Sequence, residues 1–195
     1  MAEEKKRQVG LFGGSFNPPH VCHALATLWA RQVGGLDEVW WVPTYKHAFG
    51  KDLASFEDRM EMCRRALCGL DGARVIDVER ELGGESRTID TARHLLSTHG
   101  DVDLHLIIGT DILAEVHLWK DWEGLMELVG LVVVGRSGHE ATEESGVQVG
   151  LELPAVSSTR VREALRSGSP EGRSFLESWV SSGVLAYADE KGLFR

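Results

Sequence analysis

A segment of eleven residues near the start of the chain, 13–23, carries side chains suited to phosphate chemistry. It contains the glycine pair Gly13 and Gly14, two prolines, and the histidines His20 and His23, and it follows the apolar run 9–12. Glycines let a backbone approach an anion closely, and a helix N-terminus offers free N–H groups and a positive dipole end. Histidines three residues apart share one helix face, so both imidazoles can converge on one phosphate. The segment is predicted to bind phosphate between a strand and a helix.

Two other interpretations of this segment are weaker. A glycine pair after a strand is by itself more often a tight connection than a nucleotide site. Histidine pairs also bind metal ions, but zinc needs further ligands at recognisable spacing, and the sequence has no Cys-x-x-Cys and no second such histidine pair. Glycines, helix-entry prolines and two histidines together favour phosphate binding.

A second group of phosphate-binding candidates lies near the C-terminus. Ser157, Ser158 and Thr159 precede an amphipathic helix, where hydroxyl groups commonly act as caps. Arg160 and Arg162 then fall in the first turn, where a cation opposes the helix dipole at a cost of about 0.3–1 kcal/mol. A bound polyphosphate reverses that cost. The pattern favours phosphate binding, with Arg162 the stronger candidate and Arg160 facing solvent.

An alternation of strands and helices has to position these residues. Aliphatic strands separated by helices predict an α/β fold, a doubly wound (Rossmann-like) parallel sheet with helices on both faces. The predicted strands are 9–12, 38–43, 74–78, 103–109, 131–135 and 147–153, and the predicted helices are 24–32, 56–67, 89–98, 159–167, 175–182 and 184–189.

Polar residues collect where the predicted strands end, which is where such sheets bind ligands. This repeated placement is stronger evidence for a site than any one motif. The residues are Ser15, Asn17, His20 and His23 after the first strand, Lys46 and Lys51 after the second, Gly109 and Asp111 at the fourth, and Arg136 after the fifth.

Length, charge and cysteine content set broader expectations. The 195 residues fit one domain, 1–195, with the main α/β sheet in 8–153 and a C-terminal helical part in 154–195. A net charge of −9 argues against general binding to nucleic acid or to an anionic membrane. Three cysteines without a framework spacing and no apolar run long enough to cross a bilayer predict a cytoplasmic protein.

The motifs, taken in order, resemble those of the H-x-G-H nucleotidyltransferase superfamily, most closely the bacterial nicotinate mononucleotide adenylyltransferases. Segment 13–23 resembles the opening motif and 157–162 the closing Ser-Ser-Thr-x-x-Arg motif. Between them, 85–91 resembles the family's Ser-Tyr-Thr-Ile-Asp-Thr segment, and 109–111 with 119–122 resembles its Gly-x-Asp and Trp-Lys-x-Trp region. The resemblance runs from about residue 9 to residue 194.

This resemblance implies transfer of AMP from ATP to nicotinate mononucleotide, which gives deamido-NAD and pyrophosphate in NAD biosynthesis. It implies Mg²⁺ bound with ATP, and no protein metal site. The implied catalytic residues are His20, His23 and Arg162. ATP binding is implied for these three and for Gly13, Gly14, Ser15, Phe16, Lys51, Gly109, Asp111, Arg136, Ser157, Ser158 and Thr159, and mononucleotide binding for Ser15, Asn17, Lys46, Arg87, Thr88 and Trp119.

The sequence allows two roles each for Trp119 and Asp111, and it departs from the family motifs at Cys22 and Arg87. Trp119 is either a stacking platform for the pyridine ring or a core residue, and Asp111 either binds ribose hydroxyls or caps a helix. Cys22 replaces the glycine of the H-x-G-H signature, which can narrow the nucleotide pocket. Arg87 replaces a tyrosine and can pair with a nicotinate carboxylate.

Two alternative functions are nucleotidyl transfer to another phosphate acceptor and nucleotide binding without catalysis. Nicotinamide mononucleotide, pantetheine phosphate and cytidylyl transfer are the neighbouring enzymatic options, and the non-enzymatic option is a nucleotide-binding protein with little turnover. A homo-oligomer is compatible with the sequence, which does not establish the oligomeric state.

Overall fold

Six parallel strands form one sheet within residues 5–46, 53–85, 87–136 and 149–195, which are the residues that the computed structural model describes. In chain order the strands are β1 (Arg7–Gly14), β2 (Glu38–Pro43), β3 (Ala73–Val75), β4 (Val102–Gly109), β5 (Gly130–Arg136) and β6 (Val149–Leu153). Their order in the sheet is β3-β2-β1-β4-β5-β6. The winding therefore reverses between β1 and β4, the point at which doubly wound sheets bind ligands.

Helices connect and flank these strands, and several begin at a serine. The helices are α1 (Val21–Gln32), α2 (Phe56–Ala66), α3 (Val78–Leu82), α4 (Thr88–Thr98), α5 (Thr110–Leu113), α6 (Trp122–Leu128), α7 (Ser158–Ser167), α8 (Pro170–Trp179) and α9 (Ser182–Lys191), with a 3₁₀ turn at Val116–Leu118. The hydroxyls of Ser55, Ser157 and Ser169 each accept the N–H three residues ahead and so cap α2, α7 and α8. None of the described helices has the length and apolar character needed to cross a membrane.

The sheet has a hydrophobic core on each face. Side chains of β2 alternate between the two cores, since Val39 and Trp41 point to one face and Trp40 and Val42 to the other. The first core contains residues of α1, α2 and the three C-terminal helices, and the second contains residues of α4 and α6. Helices thus cover both faces, and the predicted doubly wound α/β fold is confirmed.

The structure corrects the predictions around the first motif. Gly13 and Gly14 are the last residues of β1, paired with Val42 and Pro43, and do not form the connection after it. The following helix begins at Val21 instead of residue 24. The whole 15–20 segment is therefore available for a turn between the strand and the helix.

The predicted strand 74–78 is too long. Ile76 donates its N–H to Trp41 O, and the next bond of a parallel ladder would come from the N–H of residue 43. Residue 43 is proline and has no N–H, so β3 ends and α3 begins at Val78. The prediction for 147–153 is confirmed over Val149–Leu153, while 147 and 148 lie outside the described residues.

The predicted helix 175–182 is displaced along the chain. Pro170 occupies the first turn of α8, directly after the capping Ser169, and the helix ends at Trp179. Val180 is extended and Ser181 begins the next helix. The short helices α3, α5 and α6 were not predicted.

Candidate active site

His20 and His23 converge at the start of α1, as predicted. His20 precedes the helix with an extended backbone, His23 lies in its first turn, and their ring centroids are 3.9 Å apart. The His20 N–H donates to His23 Nδ1 at 3.0 Å. Because Nδ1 accepts, the neutral His23 ring carries its proton on Nε2. The capping bond therefore fixes one tautomer, with a donor at the far side of the ring.

An aromatic cluster supports the His23 ring. Its centroid lies 5.0 Å from that of Phe16 and 5.8 Å from that of Trp41, and Phe16 stacks on Trp41 at 4.7 Å with 8° between the planes. The Phe16 side chain is buried in the core. The predicted ATP contact of Phe16 stays a prediction.

The closing motif is bonded to the opening one. Ser158 Oγ donates to Pro18 O at 2.8 Å, and Arg162 Nη1 donates to Asn17 O at 2.8 Å. Arg162 Nη2 also donates to Thr159 Oγ1 at 3.2 Å. The structure thus brings the N-terminus of α7, with its hydroxyls and Arg162, against the turn that carries the two histidines.

The two arginines of the closing motif differ in position. Arg160 is exposed and its guanidinium lies 4.4 Å from the centre of the Phe175 ring on α8. Arg162 is half-buried, and burial, followed by the nearby charge of Arg166, lowers its pKa. Both effects disfavour the charged form of Arg162. An anion bound beside Arg162 would therefore stabilise that charged form.

Gly13 and Gly14, both predicted ATP ligands, lie at the end of β1 directly before the histidines' turn. Gly13 is exposed, and open space surrounds the position that a Cβ would take. Gly14 O accepts the Thr44 N–H at 2.9 Å, which joins the turn after β1 to the segment after β2. Lys51 and the side chain of Arg136 lie outside the described residues.

Asp111 lies in the first turn of α5. Its Oδ1 accepts the Ile112 N–H at 3.1 Å, and a Cβ on Gly109 would come within 2.4 Å of that oxygen. Glycine at 109 is therefore needed for this Asp111 conformation. The cap residue of α5 is Gly109, so the predicted capping role of Asp111 is not observed, and ribose binding by Asp111 stays a prediction.

Of the predicted mononucleotide ligands, Arg87 and Thr88 lie at the N-terminus of α4 and Trp119 precedes α6. Arg87 precedes α4 and pairs with Glu85 at 2.7 Å, and Thr88 is the first residue of α4. Trp119 is half-buried and packs edge-to-face against Trp122 at 5.8 Å. A cavity of about 260 Å³ opens between α3 and α4 beside Arg87. Lys46 is exposed on the segment after β2, with Nζ 5.8 Å from the Tyr45 ring centre.

Asn17 has a structural contact that the sequence did not indicate. The residue is buried, and its Oδ1 accepts the Ala54 N–H at 3.0 Å. This bond joins residues 15–20, the histidine turn, to Ala54, which precedes the α2 cap. The predicted mononucleotide contact of Asn17 stays a prediction.

Cys22 packs in the hydrophobic core. Its side chain is buried and its Sγ lies 3.8 Å from Pro154 O, just after β6. The thiol fills space between α1 and β6, which favours a packing role, and an effect of Cys22 on the nucleotide pocket stays a prediction.

Arg59 is the site residue that sequence reasoning missed. It is buried on α2 and donates to the main-chain oxygens of Ser15 at 3.0 Å, Thr44 at 2.7 Å and Ala54 at 3.0 Å. Burial lowers its pKa. The available signal was an arginine four residues before Cys63, on the apolar face of an amphipathic helix.

No group of three or more histidine, cysteine or acidic side chains could hold a metal ion among residues 5–46, 53–85, 87–136 and 149–195. The site as described therefore consists of imidazoles, hydroxyls, cations and main-chain groups. Such a set binds phosphate groups.

Comparison with known proteins agrees with this geometry. The cytidylyltransferase-like family model matches residues 11–164. A probable nicotinate-nucleotide adenylyltransferase of Anaeromyxobacter dehalogenans (strain 2CP-1 / ATCC BAA-258) is 44% identical over 192 residues, 97% of each chain. One from Myxococcus xanthus (strain DK1622) is 40% identical over 189 residues, 96% of this chain and 94% of the relative.

Solved structures share the fold at lower identity. Plasmodium falciparum nicotinic acid mononucleotide adenylyltransferase complexed with NaAD superposes with a TM-score of 0.82 over 96% of this chain and 97% of that one. The two sequences are 16% identical, so this likeness concerns the fold.

Proposed function

Because the chain belongs to the nicotinate-nucleotide adenylyltransferases of the cytidylyltransferase-like family, we propose that it transfers AMP from ATP to nicotinate mononucleotide. The products are deamido-NAD and pyrophosphate, and the step belongs to NAD biosynthesis. One observation carries the proposal: Ser158 and Arg162 are bonded to the turn that holds His20 and His23. Imidazoles, hydroxyls, a helix N-terminus and a guanidinium then surround one space suited to a polyphosphate.

The reaction needs alignment and charge stabilisation more than covalent catalysis. An oxygen of the mononucleotide phosphate attacks the α-phosphorus of ATP, a new P–O bond forms, and the bond to the β-phosphate oxygen breaks as pyrophosphate leaves. The acceptor phosphate is already a nucleophile, so no enzyme-bound intermediate is required. Preorganised donors that face the phosphoryl oxygens lower the barrier.

Each group at the site has a part in this scheme. His23, with its proton on Nε2, and His20 donate to the transferring and leaving phosphates. Arg162, Ser158 and Thr159 hold the β- and γ-phosphates from the N-terminus of α7. Magnesium enters as Mg·ATP, bound by phosphate oxygens and water.

The acceptor pocket is proposed to lie at the N-terminus of α4. Trp119 stacks on the pyridine ring, and Thr88 with nearby main-chain groups positions its substituent. Arg87 faces an exposed carboxylate partner, Glu85, which a nicotinate carboxylate can replace without burying an unpaired charge. The pair therefore supports a preference for nicotinate over nicotinamide.

The proposal also covers where in the cell the enzyme acts and what kind of partner it binds. Cys22, Cys63 and Cys68 are all free, and the net charge is −9. We place the reaction in the cytoplasm, where ATP is available and thiols stay reduced, with small-molecule substrates and no nucleic acid partner.

The test is pyrophosphate release from Mg·ATP with nicotinate or nicotinamide mononucleotide at matched concentrations. The expected result is faster release with the nicotinate form, and loss of about 1–3 kcal/mol of that preference in Arg87→Gln. Arg173→Gln is the matched control, because Arg173 is also exposed and paired with a glutamate, Glu177, but lies on α8. Tight ATP binding with no release for either acceptor would contradict the proposed reaction.

A further inference from the structure

The three acceptors of Arg59 belong to three separate segments that meet at the end of β1 and the turn after it. Ser15 lies in the turn between β1 and α1, Thr44 directly follows β2, and Ala54 directly precedes the Ser55 cap of α2. We propose that Arg59 is a positioning residue for nucleotide binding, which fixes these segments relative to one another. This role rests on the proposed adenylyl transfer and deepens it.

Burying the Arg59 guanidinium costs free energy unless hydrogen bonds within the protein replace those to water. A buried cation loses its hydration, and a well-packed apolar residue of similar volume is often as stable or more stable at such a place. Arg59 offsets the loss by donating to main-chain oxygens from three of its nitrogens, at 2.7–3.0 Å. An apolar residue could fill the space but could not hold three separate loops in one geometry.

Glu79 completes the arrangement from the opposite side. Its Oε2 accepts the Tyr45 N–H at 2.9 Å, while Arg59 donates to Thr44 O. The carbonyl and the N–H of the single peptide group between Thr44 and Tyr45 are thus held by side chains of opposite charge. The Thr44 N–H in turn donates to Gly14 O. The orientation of the backbone leading to Lys46 is fixed against the phosphate-binding turn.

The Arg59 contacts are expected to affect the binding of ATP more than that of the mononucleotide. Ser15 and Lys46 border the histidine turn, whereas Arg87, Thr88 and Trp119 are carried by α4 and by the segment before α6. The predicted mononucleotide contacts of Ser15, Asn17 and Lys46 depend on the segments that Arg59 holds, whereas those of Arg87, Thr88 and Trp119 do not. Loss of the Arg59 contacts should therefore weaken ATP binding strongly and mononucleotide binding to a smaller extent. A general loss of folded enzyme would instead lower kcat alone and change neither affinity.

The experiment compares Arg59→Lys with Arg31→Lys. Arg31 is a matched control, because it also donates to main-chain oxygens of two loops, at Asp37 and Asp71, but these precede β2 and β3 at the other edge of the sheet. The affinity for a non-hydrolysable Mg·ATP analogue is measured by calorimetry at a temperature where circular dichroism shows both variants folded. The KM for nicotinate mononucleotide is measured alongside.

The expected result is that Arg59→Lys binds the analogue about tenfold more weakly, since a lysine cannot reproduce the guanidinium fork. The mononucleotide KM should rise by a smaller factor, about threefold at most, because the contacts of Arg87, Thr88 and Trp119 do not depend on Arg59. Arg31→Lys should bind the analogue as the wild type does. Unchanged analogue affinity in Arg59→Lys, or equal weakening in Arg31→Lys, overturns the proposal.

A second variant decides the matter if Arg59→Lys does not fold. Glu79→Ala changes a half-buried residue and should weaken analogue binding about threefold by releasing one end of the same peptide group. Wild-type affinity in that variant overturns the proposal. Failure of the wild type to release pyrophosphate would overturn the proposed function, whereas analogue affinity, which needs no turnover, still decides the role of Arg59.

Discussion

His23 combines a fixed tautomer with a rigid aromatic support. The His20 N–H holds its Nδ1, and Phe16 and Trp41 pack against the ring, so the Nε2 donor is aimed before any ligand binds. A donor that needs no reorganisation stabilises developing charge more effectively than a mobile one. The pair therefore acts as one unit, in which His20 both contributes an imidazole and orients its neighbour.

His23→Ala is expected to lower kcat by at least about tenfold, because it removes one preorganised donor to the phosphoryl oxygens. The far-ultraviolet circular dichroism should stay that of the wild type. Steady-state pyrophosphate release measures the change, and His117→Ala, at an exposed histidine on the 3₁₀ turn, is the control. Full turnover in His23→Ala would remove the mechanism proposed above.

Cys22→Gly restores the glycine of the family signature and is expected to cost stability without improving catalysis. Removing a buried thiol and placing glycine in the first turn of α1 should lower the free energy of unfolding by about 2 kcal/mol. Urea unfolding measures this loss, and kcat should stay within about threefold of wild type, because the thiol packs in the core. A large gain in kcat would show instead that Cys22 obstructs the nucleotide.

At the residue scale, local motifs predicted residues that the fold brings together, but they did not predict the buried arginine beside them. The predicted residues belong to local motifs whose residue types and spacing indicate phosphate binding, namely His20, His23, Ser158 and Arg162. Arg59 has no such motif, since its three acceptors lie in loops that only the tertiary fold brings together. The packing of Cys22 could not be predicted for the same reason, because its neighbour Pro154 is distant in the sequence.

At the element scale, ion pairs tie the Trp119 segment to α4. Lys120 Nζ pairs with Asp90 at 2.9 Å, and Arg93 pairs with Asp121, the cap of α6, at 3.0 Å. All four side chains are largely exposed. These pairs orient the segment that presents Trp119, at the modest strength and high salt sensitivity of surface ion pairs.

Lys120→Met should accordingly raise the KM for the mononucleotide about threefold at low ionic strength, and the difference from wild type should vanish at about 0.5 M salt, where exposed pairs are screened. The KM for ATP should not change. Initial rates at several salt concentrations measure both constants. An effect that persists at high salt would indicate that Lys120 contacts the substrate itself.

Some boundaries of helices and strands could be predicted from adjacent residues, and others depended on residues distant in the sequence. The early end of β3 follows from a proline in its neighbour, Pro43, so residues 74–78 alone could not reveal it. Ser169 and Pro170 did carry a local start signal for α8 that the prediction overlooked. Helices of four to seven residues, such as α5 and α6, are too short for periodicity to distinguish from loops.

At the scale of the whole molecule, the C-terminal helices are joined to the face that holds the site. Tyr187 on α9 donates its hydroxyl to Asp58 Oδ1 at 2.8 Å, and the guanidinium of Arg65 lies 4.6 Å from the centre of its ring. Burial, followed by the hydrogen bond to Asp58, raises the pKa of Tyr187 to about 12. Since α2 also carries Arg59, α9 supports the site through α2.

Tyr187→Phe is expected to lower the free energy of unfolding by about 1 kcal/mol at pH 7, by loss of this hydrogen bond. Because the folded pKa exceeds the ordinary value of 10.0, the contribution of Tyr187 is complete below pH 10.0 and is lost as the pH rises toward 12. Denaturant unfolding across pH 7 to 11 measures it. An equal alkaline loss of stability in the variant would assign that loss to other groups.

The bonds from Ser158 to Pro18 and from Arg162 to Asn17 join parts of the chain that are made far apart in time. A ribosome produces the histidine turn early, yet the central strand before it obtains its partner β4 only after residue 102, and the closing motif comes later still. Domains generally form as units once enough of the chain has emerged. A nascent chain would thus hold both histidines for most of its synthesis without an assembled phosphate site.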